Sequence, residues 1–148
     1  MPVFESRISL PGPSERVFDF LTRPDNLLKI SPPEIQMAFI EAPEVLSLGS
    51  RLQFKIQVYG QVQEFEHEII EFDRPTRFRE KAVSTPMKSW IQDYIVEPAD
   101  SGLVVLLTRV EFEPPGGFLG YILTPERILA NLEEGHAHRE EALQKALQ

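Results

Sequence analysis

The sequence predicts an α+β fold in which a curved antiparallel sheet of about seven strands wraps around a long C-terminal helix. Three patterns support this prediction. An N-terminal strand pattern is followed by two short helical patterns, six runs then alternate apolar and polar residues, and the last segment has the period of a helix. Because a helix and a concave sheet face seldom meet over their whole length, this order also predicts a cavity that suits a small apolar molecule.

The composition narrows the class of protein. The 148 residues fit one domain, spanning positions 1–148. The chain has no cysteine, which excludes disulfides and thiolate metal sites and favours a reducing, cytoplasmic location. The net charge of −8 repels phosphate groups and disfavours nucleic acid as a partner. No uncharged apolar run approaches the ~18 residues of a membrane span, so no stable membrane insertion is expected.

The N-terminal part predicts one strand and two short helices. Residues 3–10 alternate in polarity, and a Pro-Gly-Pro sequence closes the run. Ser14 is predicted as the N-cap of a helix that Pro24 ends. Asp25 is predicted to cap a second helix over residues 26–30. Two small helices therefore separate the first strand from the rest of the sheet.

The middle of the chain predicts four consecutive antiparallel strands, at residues 34–42, 51–59, 61–73 and 77–83. Gly60 marks a tight hairpin between the second and third of these strands. The two-residue period assigns the following side chains to the inner face of the sheet: Leu52, Phe54, Ile56, Val58, Phe65, His67, Ile69, Phe78, Glu80 and Ala82.

Two further strands, at residues 88–97 and 103–113, complete the predicted sheet. Their inner faces carry polar as well as apolar residues, which are Trp90, Gln92, Tyr94, Val96, Val104, Leu106, Thr108, Val110 and Phe112. A polar side chain on an inner face is a candidate for binding, although a register shift of one residue would turn it outward.

The C-terminal segment predicts the long helix. Thr124 is a capping residue before Pro125, and the helical pattern continues to Lys145. One stripe is predicted to face the sheet: Ile128, Leu132, Gly135, His136, Arg139, Leu143 and Ala146. A glycine here costs ~1 kcal/mol relative to alanine, so Gly135 indicates either a close approach by another group or a tolerated defect. The apolar segment 118–123 is a candidate lid over the cavity.

The order of elements resembles the START-like, or SRPBCC, superfamily and its helix-grip fold over nearly the whole chain. Residues 90–98 and 108–114 resemble the small bacterial ligand-binding branch near the polyketide cyclase/dehydrase group. That branch typically has a Trp-x-His-x-His-x-Phe strand and an Asp-x-Val-x-Tyr strand. Trp90 matches the first pattern, and Thr108 stands in place of the Asp. The later positions of the first pattern are replaced by Gln92, Tyr94 and Val96.

The resemblance implies a cavity between the sheet and the helix for a small hydrophobic ligand, such as the lipids, sterols, hormones or polyketides that different members carry. No metal or nucleotide cofactor is expected, because three histidines without cysteine do not make a typical ligand set. With the assignment of inner faces, the candidate ligand-binding residues are Phe54, Ile56, Phe65, His67, Phe78, Glu80, Trp90, Gln92, Tyr94, Thr108, Leu132, His136 and Arg139.

Several of these side chains have two interpretations. His67 is either a general base or a hydrogen-bonded residue of the inner face, and the second is favoured. Glu80 is either an acid or the ion-pair partner of Arg139, and the ion pair is favoured. Trp90 and Tyr94 are either core aromatics or ligand contacts.

Binding without catalysis is the predicted function, and two alternatives stay open. One is an enzyme of the cyclase or dehydratase type, in which His67 and Glu80 act as base and acid on a polyketide-like substrate. The other is a protein-interaction module whose core is filled by its own side chains and which needs an exposed apolar patch. No oligomeric state follows from the sequence.

Overall fold

The computed structural model describes residues 1–58 and 60–148. The strands are β1 Val3–Pro11, β2 Ala38–Glu41, β3 Arg51–Val58, β4 Gln61–Asp73, β5 Arg77–Ser84, β6 Ser89–Pro98 and β7 Leu103–Glu113. The helices are α1 Ser14–Leu21, α2 Pro24–Ile30, α3 Leu119–Ile122 and α4 Pro125–Ala146, with 3-10 turns at Pro33–Ile35 and Asp100–Gly102. The predicted α+β class and the predicted order of elements are confirmed.

The seven strands of the described residues form an antiparallel sheet in the order β1-β7-β6-β5-β4-β3-β2. From β2 to β7 each strand pairs with its sequence neighbour, and β1 pairs with β7. The long helix α4 packs against β1 and α2, and α1 packs against β6. The helix therefore lies nearer to the β1 side of the sheet.

The structure corrects the predicted starts of the two short helices. Ser14 is the first helical residue, and Pro13 occupies the N-cap position predicted for Ser14. The helix α2 begins at Pro24, two residues before its predicted start, and Asp25 lies in the first turn instead of at the cap. Proline is favoured at the first position of a helix because its missing N–H is not needed there.

The predicted strand at residues 34–42 is wrong in its first part. Pro33–Ile35 forms a 3-10 turn, and Gln36 has a positive φ of 47°, so β2 starts later than predicted. The strand is also a short edge strand with an irregular register against β3. Pro32 and Pro33 lack the N–H groups that a paired strand needs, which explains the late start.

The ends of the other predicted strands agree with the structure to within one residue where they are described. At the predicted hairpin, Gly60 has a positive φ of 75°, which glycine adopts without strain, between the paired residues Val58 and Gln61. Tyr59, at the predicted end of its strand, and the predicted inward orientation of the Val58 side chain lie outside the described part of the chain.

The helix α4 is capped at its start and buried along one stripe. Thr124 Oγ1 accepts a hydrogen bond from the backbone N–H of Arg127 at 3.3 Å, which confirms the predicted cap. The buried residues of the helix follow the predicted stripe and are Ile128, His136 and Leu143. The buried stripe differs from the predicted stripe at its C-terminal end, where Ala146 is exposed and Leu147 is buried.

Candidate functional site

A row of buried polar side chains crosses the inner face of the sheet. Strand pairing places Glu80 opposite Gln92 and Tyr94 opposite Thr108. His67 on β4 is the diagonal neighbour of Glu80 in the register of β4 and β5. We call this row the polar band. Its members, all more than nine-tenths buried, are His67, Glu80, Gln92, Tyr94 and Thr108.

One end of the polar band, at Gln92 and Thr108, lies between two apolar clusters. The first cluster surrounds the start of α4 and consists of Val110, Phe112, Leu123 and Ile128, with Phe4, Trp90 and Leu132 among the residues packed against it. The second cluster includes residues of β1, α1, β3 and β5 and the end of α4. Thr108 on β7 lies between Leu106 of the second cluster and Val110 of the first. On α4, His136 and Arg139 likewise fall between residues of the two clusters.

Hydrogen bonds connect four members of the polar band in two pairs. His67 Nδ1 is paired with Glu80 Oε2. In the second pair, Gln92 Nε2 donates to Tyr94 Oη at 2.9 Å, and Arg139 Nη1 from α4 donates to the same oxygen at 3.4 Å. Burial raises the pKa of the Tyr94 phenol above its usual value, and the Arg139 charge opposes that shift. Tyr94 is therefore a neutral phenol that accepts two hydrogen bonds.

These contacts bear on the interpretations of His67 and Glu80. His67 is hydrogen-bonded within the inner face, as the favoured interpretation predicts. The predicted ion pair of Glu80 with Arg139 is wrong, because Glu80 contacts His67 and Arg139 contacts Tyr94. The reason is geometric. His67 lies on the strand next to Glu80, whereas α4 is held near β1 and its Arg139 side chain meets Tyr94 on β6.

Three buried atoms on the inner side have no hydrogen-bond partner within residues 1–58 and 60–148, and we call them the unpartnered atoms: Thr108 Oγ1, His136 Nδ1 and Trp90 Nε1. Native proteins leave few buried polar atoms in this state, and each costs about 1–3 kcal/mol. The His136 ring lies against Phe4 on β1, with 4.9 Å between ring centroids. Burial, with a smaller effect of the Arg139 charge, lowers the pKa of His136 to about 3. The imidazole is therefore neutral near pH 7.

Apolar candidate residues flank the polar band. Phe78 stacks on Tyr94 with 4.5 Å between ring centroids. Phe54 stacks on Phe65 at 5.3 Å and meets the His67 ring edge-on at 4.9 Å. Further candidates are only partly buried, although a helix in full contact with the sheet would cover them: Ile56, Phe65, Trp90 and Leu132. Part of the apolar surface between the sheet and α4 therefore remains accessible to solvent.

Gly135 has open space where a side chain would stand. A Cβ built at this position would have no described heavy atom within 4 Å outside the local backbone of α4. The close approach that the sequence offers as one explanation of Gly135 is therefore absent from the described residues. The other explanation, a tolerated defect in the helix, remains.

Two surface depressions of the described residues lie away from the polar band. A groove of about 260 Å³ is lined by residues of α1 and α2 and the end of the chain, including Arg23 and Leu147. A second depression of about 200 Å³ lies near the β2 edge of the sheet, where Ile40 and Phe65 line it. Phe65 is the one described candidate residue in either depression. The members of the polar band are covered by other side chains, since each is more than nine-tenths buried.

The structure also bears on membrane and metal binding. None of the helices in the described residues combines the length and the apolar character that crossing a membrane requires. The described His, Asp and Glu side chains form no group of three or more that could hold a metal ion.

Phe4 is an inner-face residue that the predicted site omits. Its ring contacts His136, and it packs against the first apolar cluster. The alternation of β1 carries the signal, because Phe4 shares a face with Ile8 and Leu10, both of which are buried. The sequence pattern alone did not indicate that β1 lies beside β7 and under α4.

The seven-stranded sheet and the long C-terminal helix define a helix-grip fold of the START-like class. The sequence matches the family model described as polyketide cyclase / dehydrase and lipid transport over residues 1–143. The chain belongs to this family, and the resemblance stated from the sequence is confirmed. No curated protein matches the sequence at a significant level.

Solved structures of similar fold cover almost the whole chain. Protein CV1439 from Chromobacterium violaceum has a TM-score of 0.76 at 18% identity, covering 98% of this chain and 96% of that chain. A START superfamily protein from Mycobacterium smegmatis has a TM-score of 0.72 at 13% identity, with coverage of 98% and 96%. Ginseng major latex-like protein 151 from Panax ginseng has a TM-score of 0.68 at 15% identity, with coverage of 96% and 97%. At these identities the likeness shows the fold alone.

Proposed function

We propose that residues 1–148 act as one domain that binds a small hydrophobic molecule between the sheet and α4. The observation that carries this proposal is the position of the unpartnered atoms. Thr108 Oγ1 and His136 Nδ1 lie between two apolar clusters and have no partner in the part of the chain that the structure describes. A molecule with an apolar body and a hydrogen-bonding group would cover apolar surface and supply that partner.

The proposed ligand contacts are the members of the polar band, two residues of α4 and the apolar side chains beside them. The family description, which includes lipid transport as well as polyketide cyclases and dehydrases, is consistent with a ligand of this type. The lack of cysteine supports a cytoplasmic location. The net charge of −8 argues against a nucleic-acid partner.

Entry of the ligand requires the closed polar band to open. Segment 118–123 is the proposed lid, and it contains α3. Its aromatic side chains Phe118 and Tyr121 are 79% and 83% exposed. Gly117, directly before the segment, has a positive φ of 63°, a backbone conformation that residues other than glycine rarely adopt. A movement of this segment would expose the first apolar cluster, because Leu123 belongs to it.

The test is native mass spectrometry of the protein purified from its own host, followed by organic extraction of what co-purifies. We expect a stoichiometric hydrophobic molecule that also raises the melting temperature when it is added back to stripped protein. An empty protein that shows no thermal shift with a panel of lipids and aromatic compounds would contradict the proposal. That result would favour the protein-interaction module, with Phe118 and Tyr121 as exposed contacts.

A second candidate function is catalysis of the cyclase or dehydratase type. The observation in its favour is the pairing of Glu80 with His67 Nδ1, because a carboxylate that orients an imidazole leaves Nε2 in position to act as a base. The joined pair would act as one base rather than as a separate base and acid. The wild-type protein should then convert the co-purified molecule, with loss of one water for a dehydration or to an isomer with a new chromatographic retention time for a cyclisation, and His67→Gln should leave it unchanged. Identical chromatograms and mass spectra for both proteins would exclude this function for that molecule.

A further inference from the structure

We infer that the bound molecule is an amphipathic organic acid whose carboxylate forms an ion pair with Arg139. The inference deepens the proposed function and rests on it. Its basis is a partly buried guanidinium without an acidic partner, together with two hydroxyl groups whose protons have no acceptor among residues 1–58 and 60–148.

Arg139 differs from the other arginines of the described chain. Its side chain is partly buried on the inner side of α4, and its one hydrogen-bond contact within the described part of the chain is with Tyr94 Oη. No Asp or Glu of the described residues lies within ion-pair distance of it. The other arginines without an acidic partner are exposed to solvent, and they are Arg7, Arg16 and Arg127. Arg139 is therefore the arginine in the described residues that is partly withdrawn from water without a counter-charge.

The nearest acidic side chain of the polar band does not neutralise Arg139. Glu80 is on the inner face, and its carboxylate is paired with His67. The positive charge of Arg139 is felt by its neighbours, since it contributes to the lowered pKa of His136 and opposes the raised pKa of Tyr94. A charge that is partly withdrawn from water is costly unless a partner of opposite sign is close.

Two hydroxyl groups on the neighbouring strands β6 and β7 are also free to donate. Tyr94 Oη accepts from both Gln92 and Arg139, so its own proton is left for a further acceptor. Thr108, directly opposite Tyr94, has a hydroxyl without a partner among residues 1–58 and 60–148. The guanidinium and the two hydroxyls therefore offer donors to a common region between β6, β7 and α4. A carboxylate has two oxygens that accept several hydrogen bonds, and it also supplies the missing negative charge.

The test compares matched probes that differ in the carboxylate. Binding of decanoate and decanol, and of naphthoate and naphthylmethanol, is measured by isothermal titration calorimetry at pH 7. We expect the acid of each binding pair to bind roughly 10- to 100-fold more tightly than the alcohol, as is typical of a hydrogen-bonded charge. The variants are Arg139→Gln, Arg139→Lys and, as a matched control, Arg7→Gln, which removes an exposed arginine from the outer face of β1.

Arg139→Gln should lose the preference for the acid while it keeps the affinity for the alcohol. Arg139→Lys should keep part of the preference, and Arg7→Gln should keep all of it. Equal binding of acid and alcohol by the wild type, or an unchanged preference in Arg139→Gln, overturns the inference and leaves the proposed function intact. Binding of none of the probes, together with an empty protein from the native host, overturns both. Thermal melting of each variant confirms that the protein remains folded.

Discussion

Tyr94 and Thr108 lie directly opposite each other on β6 and β7, but their hydroxyl groups have different surroundings. Tyr94 Oη accepts hydrogen bonds from Gln92 and Arg139, whereas Thr108 Oγ1 has no partner in the described part of the chain. Thr108 is also fully buried, with an exposed fraction of 0%. The unliganded fold therefore carries the cost of an unsatisfied hydroxyl at the position where a ligand is proposed to bind.

Thr108→Val should make the unliganded protein more stable and weaken ligand binding. Valine has nearly the same shape as threonine, and it removes the unsatisfied hydroxyl, so the free energy of unfolding should rise by about 1 kcal/mol. Urea denaturation gives the stability, and calorimetry with the ligand found in the host gives the affinity. The matched control is Thr22→Val, because Thr22 is also buried but donates to the Asp19 carbonyl at 3.4 Å. The control should lose stability, and a loss of stability in Thr108→Val would show that its hydroxyl has a partner.

The inner faces of the strands could be predicted from the sequence, but the contacts between them could not. Alternation placed Gln92 and Thr108 inward because a two-residue period is a local property of the backbone. The pairing of His67 with Glu80 depends on the register of β4 and β5, which shifts on both sides of His67 and is not visible in either strand alone. The contact of Arg139 with Tyr94 depends on where β1 and α2 hold α4.

Removal of one member of the His67–Glu80 pair should be strongly destabilising. Both side chains are more than nine-tenths buried, so His67→Leu or Glu80→Leu leaves a buried polar partner without its hydrogen bond. Each single variant should lose about 3 kcal/mol of unfolding free energy in urea denaturation. The double variant should be close to the wild type, because neither polar group then remains.

The control for this cycle is the exposed pair Arg23 and Glu44, whose charged atoms are 3.6 Å apart. Exposed ion pairs contribute little, so the effects of Arg23→Gln and Glu44→Gln should simply add. Additive effects for His67→Leu and Glu80→Leu as well would mean that the two buried side chains do not stabilise each other.

Two glycines near the C-terminal helix should respond to alanine in opposite ways. Gly135 lies within α4 with open space at its Cβ position, so Gly135→Ala should raise the free energy of unfolding by about 1 kcal/mol through helix propensity. Gly120 lies in α3, where a Cβ would clash with the carbonyl oxygen of Pro115. Gly120→Ala should therefore destabilise the protein. Thermal melting distinguishes the two, and a destabilised Gly135→Ala would indicate that another group approaches α4 at this point.

The stability of the protein should fall on mild acidification because of His136. Its pKa is lowered from 6.5 to about 3 in the folded protein, mainly by burial. At pH values between these two, the unfolded chain binds a proton that the folded chain does not, so the free energy of unfolding decreases as the pH falls. For one such group the slope approaches ~1.4 kcal/mol per pH unit.

His136→Leu should flatten this dependence between about pH 4 and pH 6.5, because leucine keeps an apolar side chain beside Phe4 and takes up no proton. Urea denaturation at several pH values measures the slope for the wild type and the variant. The control is His138→Leu, two positions further along the same helix and partly exposed, which should keep the wild-type slope. At lower pH, Asp19 adds a loss of stability in all three proteins, since hydrogen bonding to Arg74 lowers its pKa in the fold and this contribution is lost as it is protonated. Parallel curves for the wild type and His136→Leu above pH 4 would show that His136 is protonated in the folded protein as readily as in the unfolded chain.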